Sequence, residues 1–394
     1  MRAGGGHRAA PEVPPVLPAV PRRRRPAPDG PRAGAATTRP VSVLDGATFV
    51  VSDRNGDIDP SPNYPTGLFS LDTRFISRWE LTVDGQPLHS LSVDDLRYFQ
   101  ASFFLAPGEP THYLDAKASV IRQRRVGGGF EERLTVLNHE EEPAEYTLRI
   151  EMDGDFADLF EVKNLLPKRG RVTATVEEDR LRLRYRREAF VRETVISSSS
   201  PAEIDEHGMT FRVRVEPHGA WSTLLRVITL FSGDESALEE LERHERGRGR
   251  PEVQRRLDEW LARAPRLTCD CEPLSDSYQR SLTDLAALRY TGLLRKEKLP
   301  AAGLPWFMTL FGRDSIFTCL RTPQAWSAGA PMLLLRTMLG LEPQGDGLTV
   351  RPAVPASLGR IELIGVPGRW GRVDVFGRGR LSTGSGRADE TGPA

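Results

Sequence analysis

Leu181-Arg182-Leu183-Arg184-Tyr185-Arg186 alternates apolar and cationic side chains, and Phe211-Arg212-Val213-Arg214-Val215-Glu216 repeats the pattern further along. Successive side chains of a strand point to opposite faces. Period two therefore makes one wet face and one buried face, as in an antiparallel sheet. Working outward from these two runs, short apolar segments recur from residue 41 to residue 231, with turn residues between them. Asn55-Gly56 and Asp84-Gly85 are dipeptides suited to turns that need positive φ. Thr82-Val83 before the second and Pro87-Leu88 after it predict a hairpin. Many such strands over about 190 residues predict a large N-terminal antiparallel β-sandwich across 41–231.

The rest of the chain reads differently. Residues 1–40 hold nine Pro and five Gly, with no Phe, Trp or Tyr. Such a segment buries too little apolar surface to offset its ordering entropy, so the expectation is a disordered Pro/Arg-rich leader. Pro11, Pro14, Pro15 and Pro18 interrupt its apolar stretch, which argues against a secretion signal. Residues 379–394 are polar and rich in Gly and Ser, and read as a disordered tail. Val253, Leu257, Trp260 and Leu261 recur at helical spacing, so 232–265 is expected to be a helical linker. Ser232 or Ser236 caps its first segment, which carries Leu238 and Leu241. Beyond it, Leu274, Tyr278, Leu282, Leu285 and Leu288 form a helical stripe running toward Arg295, and Gln324–Leu339 is a further helix candidate. Leu348-Thr349-Val350 and Ile361-Glu362-Leu363 predict a short β end.

Composition narrows the function classes. The chain carries 54 basic and 54 acidic residues. Residues 1–40 account for +6 of that balance, leaving a mildly acidic body and no electrostatic reason for nucleic-acid binding. No run of about 18 apolar residues is present, so no membrane helix is expected. Three cysteines suit a reducing cytoplasm and argue against a disulfide scaffold. Cys269-Asp270-Cys271 lacks two further ligands at zinc spacing. Asp53–Asp59 places oxygens two residues apart, but Gly56 stands fourth and Tyr64 twelfth, where a calcium loop needs Gly sixth and Glu twelfth. A polar turn is the better reading, and no metal site is expected. Gly127-Gly128-Gly129 has no Lys-Ser/Thr after it and reads as a loose turn.

Trp306-Phe307-Met308-Thr309-Leu310-Phe311-Gly312-Arg313-Asp314-Ser315 is the densest unusual stretch. Aromatic faces cover the C–H face of a sugar ring, and an Arg and an Asp each hold two hydroxyls. A buried Arg–Asp pair at a helix N-terminus accounts for the same residues. Both readings stand on the chemistry alone.

Gly303-Leu304-Pro305 through Ser315 resembles bacterial glycogen debranching enzymes of the amylo-α-1,6-glucosidase type. Thr66-Gly67-Leu68-Phe69, Asp72-Thr73-Arg74-Phe75 and Trp79-Glu80-Leu81 resemble the start of their N-terminal β domain. Pro323-Gln324-Ala325-Trp326-Ser327-Ala328-Gly329-Ala330 resembles the last helix pair of their catalytic domain. The resemblance implies a multidomain β + α chain, with a β-sandwich followed by an (α/α)6 barrel that hydrolyses α-glucosidic bonds without a cofactor. It implies that Arg313 and Asp314 bind the terminal glucose, with Trp306 nearby. The partner it implies is a glycogen-like α-glucan or a maltooligosaccharide.

The departure from the family pattern is equally informative. In that family several hundred residues separate the Phe-Gly-Arg-Asp-Ser helix from the Pro-Gln-Ala-Trp helix; here Ser315 and Pro323 are eight positions apart. Residues 266–394 number 129. Twelve helices of about 12 residues need about 144 before any loop. The expectation for 266–378 is therefore an incomplete (α/α)6 remnant. Glycoside hydrolysis needs two carboxyl groups across the bond. The segments that resemblance assigns to the acid Asp and base Glu are absent, and Glu272, Asp276, Asp284 and Glu297 match neither. The sequence assigns no catalytic residue and predicts an inactive homologue. The alternative is a non-catalytic α-glucan-binding or association-prone remnant, with Leu333, Leu334, Leu335 and Leu339 deprived of their packing neighbours. The oligomeric state is left open.

Overall fold

The computed structural model describes residues 40–60, 65–108, 116–127, 129–164, 166, 168–231, 251–291, 298–304, 308 and 326–379. The leader, the tail and the segment 232–250, including Ser232, Ser236, Leu238 and Leu241, lie outside them.

Most of the described chain is strand. β1 (Val41–Asp45), β2 (Thr48–Ser52), β3 (Gly67–Ser70) and β4 (Thr73–Ile76) form an antiparallel sheet in chain order. β5 (Arg78–Val83), β6 (Gln86–Arg97), β7 (Gln100–Pro107), β8 (Ala118–Val126), β9 (Phe130–Asn138) and β10 (Ala144–Asp153) follow. After the short helix α1 (Leu159–Lys163) come β11 (Arg171–Glu177), β12 (Arg180–Arg187), β13 (Phe190–Ser198), β14 (Glu203–Asp205), β15 (Gly208–Val215) and β16 (Ala220–Leu230). These twelve strands pair antiparallel in the order β11-β12-β13-β16-β9-β8-β7-β6-β5-β10-β15-β14.

The sequence predicts a β-sandwich; the structure has one large antiparallel sheet that curls back on itself. β5 and β6 pair only beside their turn, at Thr82↔Pro87 and Val83↔Gln86. β6 shifts register twice along β7, and such irregularities bend a strand. The far strands β14 and β15 consequently approach β12, β9 and β16. Trp79, Leu81, Leu148, Ile150 and Phe211 from one part meet Phe103, Val120, Leu134, Val136 and Leu225 from the other in the main core. The alternation read from sequence holds: Leu181, Leu183 and Tyr185 are buried, while Arg184 and Arg186 are exposed. The Asp84-Gly85 hairpin is present, with φ +50 and +73 at its two turn residues.

The four-stranded sheet is buried on both faces. Val43, Val50 and Leu68 join the main core, whereas Leu44, Phe49, Val51 and Phe69 face a second cluster with Leu159, Val162, Ala287 and Ala301. Phe49 and Phe69 are register partners and their rings stack at 4.8 Å. Arg74 closes this layer. Its guanidinium pairs with the Asp155 carboxylate, and its Nη1 donates to the Thr66 carbonyl at 3.2 Å.

α2 (Pro251–Arg263) inserts Val253 and Leu257 beside Phe99 and Ala286, as the linker stripe predicts. β17 (Arg266–Cys269) and α3 (Glu272–Ala287) follow. The stripe ends at Ala287 rather than continuing toward Arg295. Leu288 caps the helix with bonds to Asp284 and Ala286. β18 (Arg289–Thr291) then pairs with β19 (Lys298–Pro300). Tyr290 and Thr291 favour strand, which outweighs the leucine spacing. α4 (Trp326–Leu339) packs against α3. β20 (Leu341–Gln344) and β21 (Gly347–Val350) form a hairpin, and β22 (Arg360–Gly368) lies between β17 and β23 (Gly371–Arg378). The region expected to open as helix thus opens as strand, because Arg266–Cys269 supplies an edge partner for β22. Leu335 and Leu339, expected to lack neighbours, are buried in a core with Tyr278, Leu282, Ile361 and Val375; Leu333 and Leu334 remain exposed. No helix among the described residues is long and apolar enough to cross a membrane.

Two glycines test this architecture. A Cβ on Gly208 (φ +149) would lie 1.9 Å from the Ile150 carbonyl oxygen, whereas one on Gly85 (φ +73) meets nothing within 4 Å. Gly85→Ala is expected to destabilise by about 1 kcal/mol through left-handed strain alone. Gly208→Ala is expected to cost clearly more, measured as urea midpoints.

Candidate functional site

Trp306, Arg313 and Asp314 lie outside the described residues. From the same motif, Met308 is described and fully buried, in the cluster of Phe49, Phe69, Leu159 and Ala301; Leu304 packs on it. Met308 therefore packs against the outer face of the four-stranded sheet. Glu272 and Asp276 are exposed on α3. Asp284 accepts from Arg280 Nε at 2.9 Å, and Glu297 lies outside the described residues. Cys269 Sγ donates to the Cys271 carbonyl at 3.1 Å. No group of three or more His, Cys, Asp or Glu among the described residues is arranged to hold a metal ion.

The densest described polar chemistry is in the β part, where the sequence reading did not look. β8 and β9 pair Arg124 with Glu132 directly, and all of Arg122, Arg124 and Glu132 are buried in the core. Glu132 Oε1 accepts from Arg122 Nε at 3.1 Å, Arg122 Nη2 at 2.9 Å and Trp79 Nε1 at 2.9 Å. Its Oε2 accepts from Arg124 Nε at 2.8 Å and Nη2 at 2.6 Å. Arg124 Nη1 has no acceptor, but its guanidinium carbon lies 5.4 and 5.2 Å from the ring centroids of Phe103 and Phe130. Ring faces there replace an acceptor. Burial alone raises the Glu132 pKa, but the two guanidinium charges outweigh it and hold the carboxyl below its usual range.

The same arginines grip the Asp53–Asp57 turn. Asp53 Oδ1 accepts from the N–H groups of Asn55 and Asp57, both at 2.8 Å. Closely spaced oxygens here serve a turn, as the sequence reading preferred. Arg122 Nη1 donates to the Asn55 carbonyl at 2.9 Å and to Asp57 Oδ1, and Arg124 Nη2 donates to the Gly56 carbonyl. The signal for this cluster was present in the sequence. Val120, Val126, Phe130 and Leu134 set the inward parity of the hairpin, and Arg122, Arg124 and Glu132 share it.

Two carboxyls beside the cluster titrate high. Burial pushes Asp57 up to about 6, against the pull of Arg122. Burial also pushes Glu80 up to about 7, against Arg78, with help from the nearby Asp59, Asp57 and Glu151 charges. Glu80 stands directly opposite Glu151 in the register, a like-charge pair.

Removing Glu132 leaves two buried guanidinium groups without their anion. Glu132→Ala is expected to destabilise by about 3–5 kcal/mol in urea titration, and replacing Arg122, Arg124 and Glu132 together by apolar residues is expected to recover part of that loss. A carboxyl whose folded pKa is raised binds its proton more tightly in the fold, so its contribution is present below the unfolded pKa and is lost as pH rises through about 6 and 7. Glu80→Gln is expected to raise the thermal midpoint at pH 8 and to leave it nearly unchanged at pH 4.5.

Residues 43–226 match the family model for the N-terminal domain of (some) glycogen debranching enzymes. No curated protein matches the chain. Among solved structures, a putative kojibiose phosphorylase from the human microbiome is similar with TM-score 0.43 and 8% identity, over 63% of this chain and 39% of that one. A polysaccharide lyase matches with TM-score 0.28 and 10% identity, over 52% of this chain and 34% of that one. A galactose mutarotase-like protein from Clostridium acetobutylicum matches with TM-score 0.17 and 8% identity, over 39% of this chain and 67% of that one. The chain spans about two-fifths of the length of the phosphorylase. Residues 43–226, which form the sheets described above, are thus similar to the N-terminal domain of (some) glycogen debranching enzymes.

Proposed function

We propose that this is a glycogen-debranching-type protein that grips α-glucan but does not cleave it. The observation that carries the reading is the family match over 43–226, followed in the same chain by the motif that ends in Arg313-Asp314-Ser315. In this reading Arg313 and Asp314 hold the hydroxyls of a terminal glucose, and Trp306 covers its apolar face. Residues 266–378 are a truncated (α/α)6 domain, of which α3 and α4 form one packed pair. Hydroxyl recognition sets the pose of the sugar; breaking the bond needs an acid to protonate the leaving oxygen and a base to activate water. Neither carboxylate has a counterpart in the sequence. The family resemblance also makes amylo-α-1,6-glucosidase the ancestral activity and the cytoplasm, with its reducing thiol chemistry, the place where the protein works. A second reading, association through the helical part, is favoured by the exposed Leu333 and Leu334 on α4.

The expected result with purified protein and glycogen is co-sedimentation without glucose release. Arg313→Ala and Asp314→Ala are expected to weaken co-sedimentation. Glucose released by the wild-type chain and lost in Asp314→Ala overturns the inactive reading. Light scattering that rises with protein concentration and falls in Leu333→Ser/Leu334→Ser supports association.

A further inference from the structure

The outer face of the large sheet carries a pocket of about 210 Å³ lined by Gln100, Ser102, Gln123, Glu131, Arg133 and Leu224, among others. That is roughly seven times the ~30 Å³ share of one liquid water, room for a single hexose. The register explains the lining. Asp94, Ser102, Gln123, Arg133 and Leu224 form one cross-strand row over β6, β7, β8, β9 and β16, and Arg97, Gln100, Arg125, Glu131 and Arg226 form the next. These rows lie on the opposite face from Arg122 and Glu132, which do not line the pocket; of the buried cluster, only Arg124 reaches its lining.

We propose that this pocket is a second saccharide-binding site, one that takes a hexose unit of an oligosaccharide on the β part of the chain. Its polar groups are of mixed character. Glu131 is held in place by Arg125 and by Arg226 Nε at 3.3 Å, and so offers an oriented acceptor whose charge is already matched. The side chains of Arg133, Gln123 and Ser102 line the pocket and make no hydrogen bond among the described residues, leaving donors and acceptors available. A sugar ring presents hydroxyls that donate and accept, which suits this set; a phosphate mainly accepts, and its negative charge would meet the Glu131 carboxylate. Planar guanidinium and amide groups can each engage two adjacent hydroxyls. The choice of an α-glucan as the saccharide rests on the proposed function; the existence of the pocket does not.

The test is a maltotriose titration of the full chain, with circular dichroism checking the fold of each variant. Asp314→Ala removes the motif's grip and is expected to leave one binding event. Adding Gln123→Ala/Arg133→Ala, both at exposed positions, is expected to weaken that remaining event about tenfold, the effect of losing one or two hydrogen bonds. If Asp314→Ala alone abolishes all maltotriose binding, the second site is overturned while the motif reading stands. If Asp314→Ala binds as the wild type does and the pocket variants do not, the pocket stands and the motif reading falls. Unchanged binding in the pocket variants, no binding by the wild type, or saturation with inorganic phosphate in place of maltotriose each overturns the proposal.

Discussion

Glu132 is the pivot of the β part. One carboxylate, fully buried, accepts from two guanidinium groups and an indole, and those guanidinium groups in turn hold the backbone carbonyls of Asn55 and Gly56. Charges moved out of water cost several kcal/mol each unless their partners are well placed. The hairpin around Gly127 and Gly129 places them, since it sets Arg124 opposite Glu132 in the ladder. The Asp53–Asp57 turn then has a single seat, and with it the path of the chain from β2 toward β3. Packing alone would not select that path, because apolar contacts carry little direction.

The four-stranded sheet transmits this order to the rest of the molecule. Its strands bury both faces, so residues two apart belong to one core and their neighbours to the other. Phe49 and Phe69 face away from the main core and meet α1, the end of α3 and Met308. Arg74, in one of the segments that resemble the debranching family, ties β4 to the loop before α1 through Asp155. Ala301, Leu304 and Met308 therefore rest on the β part.

The same sheet does two kinds of work on its two faces. Along β8, Arg122 and Arg124 point inward and are spent on holding structure, while Gln123 and Arg125 face the outer pocket. A residue type therefore says little about role until its parity is known. That is why the arginine-rich look of this strand is misleading when read as a solvated face.

Much was legible without coordinates. Alternation at 181–186 and 211–216, the Asp84-Gly85 hairpin, the α2 stripe of Val253 and Leu257 and the family resemblance all followed from local pattern, because strand and helix periods are properties of neighbouring residues. The inward arginines, the curl of the sheet at β5–β6, the end of α3 at Ala287 and the pairing of β17 with β22 did not. Each depends on which distant segment meets which: Glu132 on Arg122, Arg266–Cys269 on Ile361–Ile364. The sequence by itself determined the β character of the first half and the identity of the motif, since these are matters of period and residue type. Only the tertiary structure decided where charge is buried and which face is left open to a ligand, because burial is set by partners that lie far apart along the chain.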